Sequence, residues 1–189
     1  MLWDVGANVG PYALYAALGD GVRVVAFEPA AASYAVLCRN IELNRMAGRI
    51  AAYPIALARR TGLDMLHMTG TGAGGSMHAF GTTTNVYGED VSGGFAQAAI
   101  GMAADDFLRQ FAPPPPTHLK IDVDSIEVEI IEGARAVLAL PSVVSVWVET
   151  VGPPEAPRNA EIAAALAASG FRALPRTDPA YRNTEFRCG

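Results

Sequence analysis

Lys120 and Asp122 stand two apart in Thr117-His-Leu-Lys-Ile-Asp-Val123, alternating with the apolar residues Leu119, Ile121 and Val123. On a strand that alternation sets His118, Lys120 and Asp122 on one face. A central parallel strand is apolar on both faces, so a lysine and an aspartate in line are costly to bury unless paired or used. Two readings follow: an edge strand or structural Lys-Asp pair, or a site at the strand's carboxyl end, which we favour. Asp122 could then position an acceptor or remove its proton. Lys120 could orient Asp122 or, with a pKa far below the usual ~10.4, act as base itself. Asp124 and Glu127 have the spacing of a capping box at a helix start, and capping is the reading for both. Glu149, which closes the β-branched run Val143 to Val148, is a weaker candidate for acceptor binding. His67, His78 and His118 lack the i,i+4 or cysteine-paired spacing of a zinc site. His78, in a glycine-rich stretch, is the one histidine to watch as a substrate contact. A metal on Asp122, Asp124 and Glu149 is a minor alternative, and none is expected.

These residues need a frame, and the first ten residues supply its start. Leu2 to Val5 reads as a buried strand running into Gly6-Ala-Asn-Val-Gly10, with helical periodicity beyond it at Tyr12, Tyr15, Ala16 and Leu18. Strand, glycine turn and helix make half of a nucleotide-binding βαβ unit. Amides at that helix start can face a phosphate or a carboxylate. The glycine spacing decides against a dinucleotide. Counting from Gly6, the third and sixth places hold Asn8 and Pro11, and a proline does not suit a close pyrophosphate. The second strand, Val22 to Phe27, ends in Glu28-Pro29, and a carboxylate there can accept both ribose hydroxyls. The order Asp-x-Gly-x-Asn-x-Gly, then strand-Glu-Pro, looks like the methyltransferase version.

At 189 residues the chain suits one domain, able to bury roughly 70% of its unfolded surface. Hydrophobic residues make up 51% and charged residues 17%, which excludes a disordered class. The net charge is −5 with no Lys/Arg cluster, against a nucleic-acid partner. No apolar run approaches the ~20 residues of a membrane span, and no signal peptide precedes the first strand, so no membrane is expected. Two cysteines give no disulfide framework, Cys38 reading as core, and the expectation is a soluble cytoplasmic protein.

Along the chain, Ala30 to Asn44 has helical spacing at Tyr34, Leu37, Cys38 and Ile41. Arg49 to Leu57 reads as a third strand and its exit, and Leu63 to Met68 as a short extra strand. Gly70 to Gly94 holds eight glycines in 25 residues, and is either a mobile surface loop or a lid or substrate loop. Phe95 to Met102 reads as a strand and Asp105 to Phe111 as a short helix. Pro113 to Pro116 is a stiff lead-in to the Lys120 strand. A helix is expected from Ser125 to about Leu140, with Ile126, Ile130, Ala134, Val137 and Leu138 inward. A fifth strand covers Val143 to Val148, and a helix covers Ala160 to Ser169, stopped by Gly170. Phe171 to Leu174 and Thr184 to Cys188 would close the sheet around a Pro/Asp/Asn-containing turn. The alternation predicts an α/β fold with a doubly wound, mostly parallel sheet and an antiparallel strand at its end.

In these motifs the chain resembles the FkbM-type family of S-adenosylmethionine-dependent methyltransferases. The likeness rests on Asp4-Val-Gly-Ala-Asn-Val-Gly10 with Tyr12; Ala26-Phe-Glu-Pro29; Leu37-Cys-Arg-Asn40 with Asn44; and Lys120-Ile-Asp-Val-Asp124 through Glu127, Gly133 and Ala134. Val148-Glu149 also fits, and together these stretches cover residues 2 to 150. The resemblance implies a class I methyltransferase (Rossmann-like) fold, S-adenosyl-L-methionine as cofactor, and methyl transfer to a hydroxyl of a small molecule of sugar or natural-product type. It implies that Asp4, Gly6, Ala7, Asn8, Gly10 and Tyr12 hold the methionine end. Glu28 would take the ribose, Pro29 and Ala30 the adenine, and Ala56 and Leu57 the other side of the ring, with Asp122 near the sulfonium. The chain departs from the family in having Ser125 where glycine is usual. It begins three residues before Asp4, so the N-terminal helices that commonly precede the first strand are expected to be absent, and either the chain is a fragment or its substrate site is more open.

Two other functions fit part of the sequence. A catalytically silent binding module of the same fold would suit Ser125. An NAD-dependent oxidoreductase would explain the βαβ start and Glu28, but no tyrosine is followed four residues later by lysine.

Overall fold

The structure is a computed structural model that describes residues 1–85, 87–175 and 182–189. Its frame is a seven-stranded sheet, built from β1 (Leu2–Val5), β2 (Val24–Phe27), β3 (Ile50–Tyr53), β8 (His118–Ile121), β9 (Ser145–Glu149), β10 (Phe171–Ala173) and β11 (Asn183–Cys188). The order is β10-β11-β9-β8-β1-β2-β3. β3, β2, β1, β8 and β9 run parallel, and β11 is antiparallel to both β9 and β10. The expected doubly wound sheet with an antiparallel end is present. The turn proposed between the last two strands lies, from 176 to 181, outside the described residues.

Strand order reverses beside β1, because the chain leaves β1 for β2 on one side and returns as β8 on the other. In open α/β sheets, ligands bind outside the strands' carboxyl ends at such a switch point. Glu28, Asp122 and Glu149 follow or end β2, β8 and β9, so the fold gathers them at that edge.

One sheet face carries the larger core. Trp3 of β1 and Phe27 of β2 meet Phe107 of α3 (Ala104–Phe111) edge to face, with ring centroids 5.7 and 5.0 Å from Phe107. Three more helices, α4 (Glu127–Glu132), α5 (Arg135–Leu138) and α6 (Pro157–Ala167), add Ile130, Ile131, Val137, Ile162 and Leu166 to it. The opposite face is covered by α1 (Pro11–Ala16) and α2 (Ala31–Leu43). In α1 the inward residue is Ala13, followed by Ala17 just past the helix, whereas Tyr12, Tyr15 and Leu18 are exposed. That reverses the face read from sequence: small residues let a six-residue helix lie close to the sheet, and the aromatics stay outside. Cys38 is half-buried rather than a core residue.

A second, four-stranded sheet was not foreseen. The third strand divides at Pro54 into β3 and β4 (Ala56–Leu57), and β4 belongs to this other sheet, with β5 (Gly62–Met68), β6 (Ala79–Phe80) and β7 (Phe95–Met102) in the order β4-β7-β5-β6. β6 lies inside the glycine-rich stretch.

The helix expected from Ser125 to Leu140 begins two residues later and breaks between α4 and α5. Gly133 sits at the break, where an added Cβ would lie 2.1 Å from the Ala58 carbonyl oxygen. Contact with the chain leaving β4 forbids a side chain there. The outward amides of α5 are capped from α3 by Asp105, whose two oxygens accept from Ala136 and Val137 at 3.0 and 2.9 Å. Gly133→Ala would stabilise a free helix by about 1 kcal/mol, but the overpacked contact is expected to win and cost about 1–3 kcal/mol. Urea denaturation reads the sign directly.

Candidate functional site

Lys120 is central, since β8 lies between β1 and β9, and the edge-strand reading is overturned. Register sets Asp4 beside Lys120 across the β1–β8 pair. The Lys120 ammonium lies 3.0 Å from Asp4 Oδ1 and 3.2 Å from Asp122 Oδ2. It also caps the Tyr12 ring, 4.6 Å from the centroid. Asp4 is fully buried and Lys120 is 6% exposed. Burial pushes the lysine pKa down, but the Asp4 and Asp122 carboxylates outweigh it and hold the ammonium above its ordinary value. Burial pushes the Asp4 carboxyl up, against the pull of Lys120. A lysine base needs the opposite shift.

Above this network the glycine turn opens a cleft at the carboxyl edge of the sheet, where ligands of open α/β sheets bind. Gly6 has φ +76°, and a Cβ there would lie 2.0 Å from the Asp122 carbonyl oxygen, so the β1 and β8 exits touch only because this residue is glycine. Gly10, φ +94°, makes its close approach to Leu37 of α2 instead of to the cleft. Glu28 accepts from the Asn8 and Ala30 amides, one on each oxygen and both at 2.8 Å. Each oxygen keeps a further lone pair. Burial raises the Glu28 carboxyl above its ordinary range, opposed by those two amides.

Of the residues expected to contact a cofactor or substrate, Gly6, Asn8, Glu28, Pro29, Ala56, Leu57, His78 and Asp122 line this cleft. Asp4, Ala7, Gly10, Tyr12, Ala30, Lys120 and Glu149 are not among its lining residues. Asp4 and Tyr12 act on Lys120, and Ala30 acts on Glu28 through its amide. Ala7 donates to the Phe27 carbonyl, which locks the turn onto β2. Glu149 ends the strand next to Asp122, with Arg182 3.9 Å away. Burial lifts its carboxyl, reinforced by Asp122 and Asp124.

The capping reading of Asp124 and Glu127 fails, because α4 has no side-chain cap. Asp124 accepts from the His78 amide at 3.0 Å. Glu127, 1% exposed, ion-pairs with Arg158 of α6 and ties α4 to that helix. Ser125 lines the cleft. Among the described residues, no three His, Cys, Asp or Glu side chains converge as a metal site would require. No described helix is long and apolar enough to cross a membrane.

Sequence reasoning missed Phe27, Ile55, Leu66, Phe80 and Ile126 as cleft walls. Their only signal was apolar character, which every core residue shares. Gly75 was hidden among its glycine neighbours.

A family model described as Methyltransferase FkbM domain matches residues 4–173. Over 51 residues, 26% of this chain, the sequence is 47% identical to the 31-O-demethyl-FK506 methyltransferase FkbM of Streptomyces tacrolimicus, of which that stretch is 20%. Among solved structures, methyltransferase FkbM from Methylobacillus flagellatus KT superposes with a TM-score of 0.63 at 14% identity, covering 98% of this chain and 42% of that one. The N-terminal domain of human METTL16 in complex with SAH gives 0.57 at 9% identity, covering 98% and 59%. The chain thus spans less than half of the FkbM structure. At these identities the superpositions speak for the fold, that of class I methyltransferases.

Removing Lys120 strands Asp4 as a buried, unpaired carboxylate. Lys120→Met is expected to cost about 3–5 kcal/mol of stability. Adding Asp4→Asn to it should recover part of that loss, as a double-mutant cycle by chemical denaturation would read.

Proposed function

Since the chain belongs to the FkbM methyltransferase family, we propose that it is an S-adenosyl-L-methionine-dependent O-methyltransferase acting on a hydroxyl of a small molecule of sugar or natural-product type. The observation that carries the reading is the joining of Gly6, Asn8, Glu28 and Asp122 in one cleft at the sheet's switch point. The residues present fit an adenosyl cofactor on a further count: among the described residues, Asn8 Oδ1 and His78 Nδ1 are buried side-chain atoms without a hydrogen-bond partner, on residues that line the cleft.

Glu28, already held rigid by two amides, would take the ribose hydroxyls with its remaining lone pairs. Pro29 and Ala56–Leu57 would flank the adenine, and Asn8 and the glycine turn the methionine end. When bound, the cofactor supplies a methyl carbon activated by the sulfonium sulfur. Asp122 would orient the acceptor hydroxyl in line with that carbon and receive its proton as the new oxygen–carbon bond forms and the carbon–sulfur bond breaks, the sulfur leaving as the neutral thioether of S-adenosylhomocysteine. Much of the acceleration in such a displacement comes from this alignment, with a base adding its share. Lys120, fixed between Asp4 and Asp122, would hold the Asp122 carboxylate at one angle. Glu149, at the neighbouring strand tip, is suited to a second contact with the acceptor.

The test is calorimetric titration with S-adenosylmethionine, S-adenosylhomocysteine and NAD. Micromolar binding of the first two and none of NAD is the expected result. Glu28→Ala should weaken both by about 3 kcal/mol, roughly a hundredfold, for the loss of hydrogen bonds to a charged group. Asp122→Asn should keep most of the cofactor affinity and lose turnover once an acceptor is found. Binding of NAD alone would overturn the reading.

A further inference from the structure

Part of the glycine-rich stretch is anchored, not free. The Gly74 amide donates to Ser33 Oγ of α2 at 3.1 Å. The Gly75 carbonyl accepts from Asn8 Nδ2 at 3.2 Å. The His78 amide donates to Asp124 Oδ2 at 3.0 Å. Three backbone groups within five residues are therefore held by side chains from three places around the cleft: the turn after β1, the start of α2 and the turn after β8. Between the anchors, Gly75 and His78 line the same cleft as Glu28 and Asp122.

The span also holds two residues in the left-handed region, Gly74 at φ +79° and Met77 at φ +67°. For a methionine that conformation is sparsely populated and persists only where surroundings enforce it.

We propose that residues 74–78 form a strap across the cofactor cleft, and that His78 is a cofactor-contacting residue whose Nδ1 hydrogen-bonds the adenosyl ligand. This rests on the S-adenosylmethionine reading above. Two atoms carry it. Among the described residues, His78 Nδ1 and Asn8 Oδ1 are both buried without a partner, and unpaired buried polar atoms in a native fold call for one. Asn8 spends its amide nitrogen on the strap, which leaves its carbonyl oxygen to accept from the ligand. An adenosyl amino acid has hydroxyl and amino donors to offer it. Burial lowers the His78 pKa, with Asp124 opposing, so the ring is neutral at pH 7 and offers one donor and one acceptor nitrogen. The strap makes its own contacts to Asn8 and Asp124, so ligand and strap hold the same parts of the cleft, and ligand entry requires the strap to lift.

Stopped-flow and calorimetric binding of S-adenosylhomocysteine tests this on three proteins. Ser33 does not line the cleft, and Ser33→Ala removes one anchor only. It is expected to speed both association and dissociation about five- to tenfold, with little change in affinity. His78→Ala should speed dissociation about tenfold and weaken affinity by a similar factor. Hydrogen exchange adds a readout free of turnover: the Gly74 and His78 amides should gain protection on ligand binding, and Gly74 should lose it in Ser33→Ala. Thermal unfolding of each variant confirms that it is folded. Wild-type rates in both variants, with wild-type binding intact, overturn the strap and leave the cofactor site standing. No binding by the wild-type protein overturns the cofactor reading itself, and the strap with it.

Discussion

At the centre of the main sheet a lysine is buried between two aspartates, and neighbouring strands supply all three charges: Asp4 from β1, and Lys120 with Asp122 from β8 and its exit. An interior ammonium is tolerable only if its partners repay its lost hydration, so the β1–β8 register has no freedom to slip. One residue of slip would turn Lys120 to the opposite face, into the aromatic and aliphatic core. The position of Asp122 follows from that register, and so does the meeting of its backbone with Gly6. What looks like a catalytic pair in isolation is equally the bolt that fixes the two strands whose exits frame the cleft.

The same arrangement explains why so much was legible in the sequence. Gly6 and Glu28 follow strands directly, and a residue one step beyond a strand inherits its position from the sheet. Lys120 and Asp122 broke the apolar pattern of a central strand, a conflict that local rules can register. The parts that escaped depend on distant contacts. Nothing near Gly133 announces that it meets Ala58, so a continuous helical period concealed two short helices. Glu127 has a cap's spacing, but Arg158 on a helix some thirty residues later claims its side chain. The two-residue β4 changes sheets because of pairing with β7, more than forty residues on.

The α1 result has a related cause. Periodicity shows that a face exists, not which face turns inward, and large aromatic residues normally decide in favour of burial. Here the short helix presses its alanines to the sheet, and Tyr12 is instead used where its ring meets the Lys120 ammonium. A cation and a ring face attract most strongly when water is kept away, and the half-exposed tyrosine covers the buried Lys120 ammonium.

The second sheet enters and leaves the main framework at a single place. Ala58 donates to the Met102 carbonyl at 3.0 Å, and β4 pairs in parallel with the last residues of β7, so the excursion from 58 to 101 begins and ends side by side. Closing a longer loop between two fixed, adjacent points costs only slightly more than closing a shorter one. Length changes in this segment away from the cleft would therefore leave the Asp4–Lys120 lock untouched. The segment brings one wall of the cleft, through Leu66, His78 and Phe80, to a floor that the β1 and β8 exits hold in place.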